Sequence, residues 1–137
     1  MVELKENEKV ILEFLYRWIR PIRVGDLKNE LNAIHSTLNS QLKNLEKDGL
    51  IEWSRYGTVC LSKKGKEIAA HLTRHHRILE QFLVEFLEMD AKEACQESEI
   101  LTPLVTCNLI RRINEKITKS DFCPCGNPIP KEGICEN

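Results

Sequence analysis

Long apolar runs are missing from this 137-residue chain. The longest candidate, QFLVEFLEM, is interrupted by Glu85 and Glu88 and falls well short of the roughly 20 residues that cross a bilayer, so no membrane partner is expected. A secretory leader is not expected either, because MVELKENEK is charged from the outset. No charge sign dominates: 20 Lys and Arg face 21 Asp and Glu, for a net charge of −1, which argues against a generally basic nucleic-acid coat. Internal repeats and low-complexity tracts are missing. So is any nucleophile–base pair, phosphate loop or paired catalytic carboxylate, and no enzyme is expected. The expectation is a soluble, cytoplasmic protein. In that reducing setting its six cysteines fit thiols or metal ligands better than disulfides.

What is present is ordinary globular material, 42% hydrophobic and 30% charged, enough for one domain or two small ones with a core that needs no staples. The charge is spread unevenly. Residues 1–74 hold 13 basic and 10 acidic side chains, residues 75–137 hold 7 and 11. A mildly basic half joined to an acidic half implies two jobs in one chain.

From Glu8, the residues Val10, Ile11, Phe14, Leu15, Trp18 and Ile19 form one stripe of an amphipathic helix, which Pro21 ends. RVGDLKNELN reads as a short second helix. IHSTLNSQLKNLEKDGL reads as a third, with Leu38, Leu42 and Leu45 inward and Gly49 as a left-handed cap. LIEWSRYGTVCLS gives two short β-rich runs around Gly57, a hairpin. Three helices and a hairpin make a winged helix-turn-helix. SKKGKEIAAHLTRHHRILEQFLVEFL is a long helix with Ile68, Leu72, Leu79, Phe82, Leu83 and Phe86 on its apolar face. Asp90 with Glu93 forms a capping box for a short helix. Thr102-Pro103 reads as the start of the last helix, whose inner face is Val105, Leu109, Ile113 and Ile117. Helical periodicity stops after Lys119, where CPCGNPIPKEGIC begins. The expected fold is mainly α with a small β-hairpin: residues 1–70 a winged helix-turn-helix, 71–119 a helical dimerisation and metal-binding domain, 120–137 a Cys/Pro-rich tail.

QLKNLEKDGLI, LSKKGKEIA, and above all RHHRILEQFL and GNPIP in this order, resemble the DtxR/MntR family of metal-dependent transcriptional repressors over nearly the whole chain. The resemblance implies a metal-responsive regulator of iron or manganese type, a repressor that binds a palindromic operator in double-stranded DNA as a homodimer. The family's optional SH3-like domain is not expected. Ser36, Thr37, Asn39, Ser40 and Lys43 line the wet side of the third helix, where short hydroxyl and amide side chains suit phosphate and base-edge contacts. Arg55 and Tyr56 sit at the wing, where family members touch the DNA backbone. A winged-helix adaptor that binds protein and uses metal structurally is the competing class, as is a thiol- or zinc-dependent regulator.

His76 and Glu80 are spaced i,i+4 and match the family's metal-ligating His and Glu. Cys95 matches a ligating slot, and Glu99 lies one turn further on. Such a nitrogen, oxygen and thiolate set suits divalent iron, manganese, cobalt or zinc, the alternative being an interhelical salt bridge or a plain polar dimer rim. The family's usual Glu-His after this cysteine is Ser98-Glu99 here, an expected ligand before it is Ala91, and the first helix offers Lys9 and Leu12, so the standard two-metal switch is incomplete. His71 and His75 share the i,i+4 spacing, but on a basic face they are expected to lie in solvent and outside any site. Cys123, Cys125 and Cys135 supply three thiols around a proline-stiffened loop. These would take zinc or iron with a fourth ligand from Cys107, water or a partner, act as a redox pair, or merely pack as reduced thiols.

Overall fold

The computed structural model describes residues 4–131. The chain divides into two compact units, Met1–Ala69 and Ala70–Asn137.

In the first unit, α1 spans Glu6–Trp18, β1 Ile22–Arg23, α2 Val24–Leu31, α3 His35–Lys47, β2 Ile51–Trp53 and β3 Thr58–Leu61. Leu38, Leu42 and Leu45, at i, i+4 and i+7 of α3, are fully buried, each stabilising the unit by about 1.5–3 kcal/mol relative to exposure. α3 ends at Gly49, whose φ is 75°. Its N–H donates to the Glu46 carbonyl and that of Leu50 to the Leu45 carbonyl, the paired bonds of a Schellman cap. β2 and β3 pair antiparallel, Ile51 opposite Leu61 and Trp53 opposite Val59.

The sheet has a third strand that the hairpin reading lacks. β1 pairs with β3, Ile22 opposite Val59, giving the order β1-β3-β2. Two residues directly after Pro21 are too few to show strand periodicity, and tertiary burial of Ile22 decides the matter. The first helix also differs from its predicted stripe. Leu12 is fully buried, whereas Ile19 is 87% exposed because α1 has already ended at Trp18.

The long helix α4, Lys63–Leu87, opens in the first unit and continues through the second. α5 covers Ala91–Leu101 and α6 Cys107–Lys116. Ile78, Leu79, Ile110, Ile113 and Ile117 form the core of the second unit, with Phe82, Leu101, Val105 and Ile129 packed against it. Asp90 caps α5 by accepting from the Glu93 N–H at 2.8 Å. Thr102 does not start the last helix. It ends α5, its hydroxyl donating to the Ser98 carbonyl at 2.6 Å. Thr106 is the N-cap instead, accepting from the Leu109 N–H. On α6 Ile110 is buried, whereas Leu109, expected on the inner face, is exposed. Phe86, placed on the apolar face by periodicity, is 49% exposed.

The tail is anchored. Cys123 is buried, Ile129 joins the core, and Arg74 and Arg77 of α4 donate to the carbonyls of Pro130 and Pro128. No helix among the described residues is long and apolar enough to cross a membrane.

Candidate functional site

The apolar residues Ile78, Leu79 and Leu83 draw α4 into the core, and the polar side chains beside them go in too. His76 and Glu80 are 4% and 1% exposed, with His76 Nε2 2.6 Å from Glu80 Oε1. On α5, Ala94 and Ser98 form the buried stripe and Cys95 flanks it. The Cys95 Sγ lies 3.6 Å from His76 Nε2. Ligating atoms of His76, Glu80 and Cys95 all stand within 4.8 Å of one another. Glu99 is exposed and belongs to neither ligand group found among the described residues. A step of four residues overshoots a helical turn by about 40°, which carries Glu99 from the flank out to solvent.

The tail closes over the same place. Cys123 to Gly126 is a turn, the Gly126 N–H donating to the Cys123 carbonyl at 2.8 Å with Gly126 at a φ of 88°. It brings the Cys125 thiol to 3.5 Å from the Ala91 carbonyl. Burial pushes the Cys95 thiol up to about 12, helped by the Glu80 charge. Burial and then the Glu80 carboxylate also raise Cys123 and Cys125. For Glu80 itself burial opposes ionisation, but hydrogen bonding to His76 and Cys123 outweighs it and holds the carboxyl below its usual range. The thiols engage that carboxylate loosely, since Oε2 is buried with no partner in strict hydrogen-bond geometry among the described residues. Cys123 and Cys125 therefore adjoin the His76–Glu80–Cys95 group. Cys135, the third thiol of the expected tail cluster, lies outside the described residues.

A buried carboxylate whose second oxygen has no well-formed hydrogen bond among the described residues, beside an imidazole and protonated thiols, suits a cation. The nitrogen, oxygen and sulfur donors fit a divalent transition metal. His76, Glu80 and Cys95 would hold it, and Cys123 and Cys125 stand ready as further thiolates.

The expectation that His71 and His75 lie in solvent fails. His75 is 3% exposed, its ring centroid 4.2 Å from that of His71, and Cys107 Sγ is 3.3 Å from His71 Nε2. The basic side chains Arg74 and Arg77 on the same helix make the pair look solvated, and only tertiary packing brings Cys107 of α6 to His71.

In the first unit, Ser36, Thr37, Ser40 and Lys43 are exposed on α3. Asn39 is half-buried, its Nδ2 2.9 Å from His35 Nε2. At the β2–β3 turn, Tyr56 is 80% exposed under the Arg55 guanidinium, 5.7 Å from the ring centroid.

Residues 62–131, which include both candidate ligand groups, match the iron-dependent repressor metal binding and dimerisation domain. The chain belongs to the iron-dependent repressor family. An uncharacterised HTH-type transcriptional regulator of Methanocaldococcus jannaschii is 31% identical to this repressor-family chain over 74% of it and 85% of that protein. The iron-dependent repressor IdeR of Mycobacterium tuberculosis is 26% identical over 95% of the chain, which spans 58% of IdeR's length. A manganese-dependent transcriptional repressor solved with manganese superimposes with a TM-score of 0.83 at 27% identity, over 90% of this chain and 58% of that one.

Proposed function

We propose that this member of the iron-dependent repressor family is a transcriptional regulator whose affinity for double-stranded DNA is set by a divalent metal at His76, Glu80 and Cys95. The buried Glu80 carboxylate, with one oxygen lacking a well-formed hydrogen bond among the described residues and an imidazole and a thiol beside it, carries the reading. The names of IdeR and of the manganese-dependent repressor support it. Bound metal supplies a cross-link between α4 and α5. Three thiols near one carboxylate favour iron or zinc over manganese, which prefers oxygen donors. Glu99, outside the donor group, is left out of the ligand set.

The first unit is read as a winged helix-turn-helix. α3 enters the major groove with Ser36, Thr37, Asn39 and Ser40 toward base edges and Lys43 toward phosphate, while Arg55 and Tyr56 at the β2–β3 turn meet the backbone. The protein acts as a homodimer. Phe86, Leu87, Ile100, Leu104 and Leu109 are between 46% and 65% exposed, a surface that a second copy would cover. Selection from a randomised duplex pool with iron-loaded protein tests the assignment. The expected product is an inverted repeat with half-sites about one helical turn apart. A pool that never enriches would remove the DNA-binding reading and leave a protein adaptor.

A further inference from the structure

We infer that His71, His75 and Cys107 form a second metal site, distinct from the His76–Glu80–Cys95 centre and selective for zinc-like ions. His71 and His75 lie one turn apart on α4, and Cys107 is the first residue of α6. Their ligating atoms stand within 4.8 Å of one another. A tetrahedral ion with Zn–N near 2.0 Å and Zn–S near 2.3 Å sets its donors roughly 3.3–3.6 Å apart. The 3.3 Å between Cys107 Sγ and His71 Nε2 is within a few tenths of an ångström of the N–S edge, about 3.5 Å. The two imidazoles, at a 4.2 Å centroid separation and inclined by 58°, need only small ring rotations to converge.

The placement is built into the fold. Thr106 caps α6 and fixes Cys107, while Ile110 and Ile113 bury that helix in the core. His75 is 3% exposed and His71 and Cys107 are half-buried, so the open side of the site admits water or a partner's side chain as fourth ligand.

The donor chemistry separates the two centres. The first includes a carboxylate, the second has two nitrogens and a sulfur and no oxygen. Zinc and cobalt suit the second, and manganese, which favours oxygen, does not.

Cobalt(II) titration of the full-length metal-free protein, followed by thiolate-to-cobalt charge-transfer absorbance and by metal analysis, tests this. The parent should take up two equivalents. Cys107→Ser and His71→Ala should each lose one equivalent, with the associated part of the absorbance, while keeping the helical circular dichroism. Glu80→Gln should keep the Cys107 equivalent. Manganese should reach no more than one equivalent in the parent and be unaffected by Cys107→Ser. If folded Cys107→Ser and His71→Ala both retain the parent's stoichiometry and absorbance, the cluster is only a thiol–imidazole hydrogen bond and the inference is overturned. A Glu80→Gln protein that binds both equivalents with the parent's affinity would count against the first centre alone.

Discussion

Replacing Glu80 by Gln keeps the shape of a side chain that is 1% exposed and removes its charge. If metal is held as proposed, this deletes the one carboxylate ligand of the His76–Glu80–Cys95 group. The amide remains beside His76, 2.6 Å from the carboxylate oxygen it replaces. A loss of about 100-fold in metal affinity follows if the carboxylate contributes on the order of 3 kcal/mol as a charged ligand. Metal bound only to the folded state stabilises by RT ln(1 + [L]/Kd), so a 100-fold weaker site forfeits about 2.7 kcal/mol of that stabilisation. For a chain of this size that is a shift of about 10 °C in Tm. Paired thermal melts, in excess iron(II) and in chelator, isolate the effect. The metal-induced rise should shrink by that amount in Glu80→Gln, while the chelator melts of the two proteins differ far less. An undiminished rise refutes the assignment of Glu80 as ligand.

Metal affinity should fall with pH, because the Cys95 thiol, lifted to about 12 by burial, must lose its proton to bind. It is protonated throughout the neutral range, so each unit of acidification should weaken binding about tenfold, and competitive chelator titrations between pH 8 and 6 that show no slope would remove Cys95 from the site. Gly65→Ala should lower the urea midpoint by about 1–3 kcal/mol equivalent, since an added Cβ would sit 1.9 Å from the Leu50 carbonyl oxygen; an unchanged midpoint contradicts that packing. Asn39→Ala should weaken the selected duplex far more than random DNA, whereas Lys43→Ala should weaken both and reduce the salt slope by about one. Equal losses from both substitutions on both DNAs would exclude α3 as the reading helix.

The helices of the first unit were readable because Leu38, Leu42 and Leu45 repeat at helical spacing and Gly49 supplies the left-handed cap. β1 was not, because two residues carry no period and only pairing with Val59 defines them. His76, Glu80 and Cys95 could be singled out by spacing and resemblance. Their burial could not, since an imidazole and a carboxylate on a Lys/Arg-bearing helix look solvated until Ile78 and Leu79 set which side faces the core. Thr102-Pro103 misled for a related reason. Both Thr102 and Thr106 are acceptable caps locally, and burial of Ile110 rather than Leu109 favours the later one. His71 and His75 looked solvent-facing because Arg74 and Arg77 share their helix, and only packing buries His75 and brings Cys107 to His71. The tail's prolines signalled its turn, but its docking depends on Ile129 and the two arginines of α4, whose reach across more than fifty positions leaves no local trace.

Metal at His76, Glu80 and Cys95 is proposed to control DNA binding. Fluorescence anisotropy of a labelled selected duplex, titrated with protein under anaerobic conditions in iron(II) and then in chelator, tests it most directly. The parent should bind between about 5-fold and 150-fold more tightly with metal, the range of ordinary coupling free energies, and at an iron(II) concentration that just saturates the parent Glu80→Gln should lose most of that difference. Equal affinity of the parent with and without metal would contradict the claim.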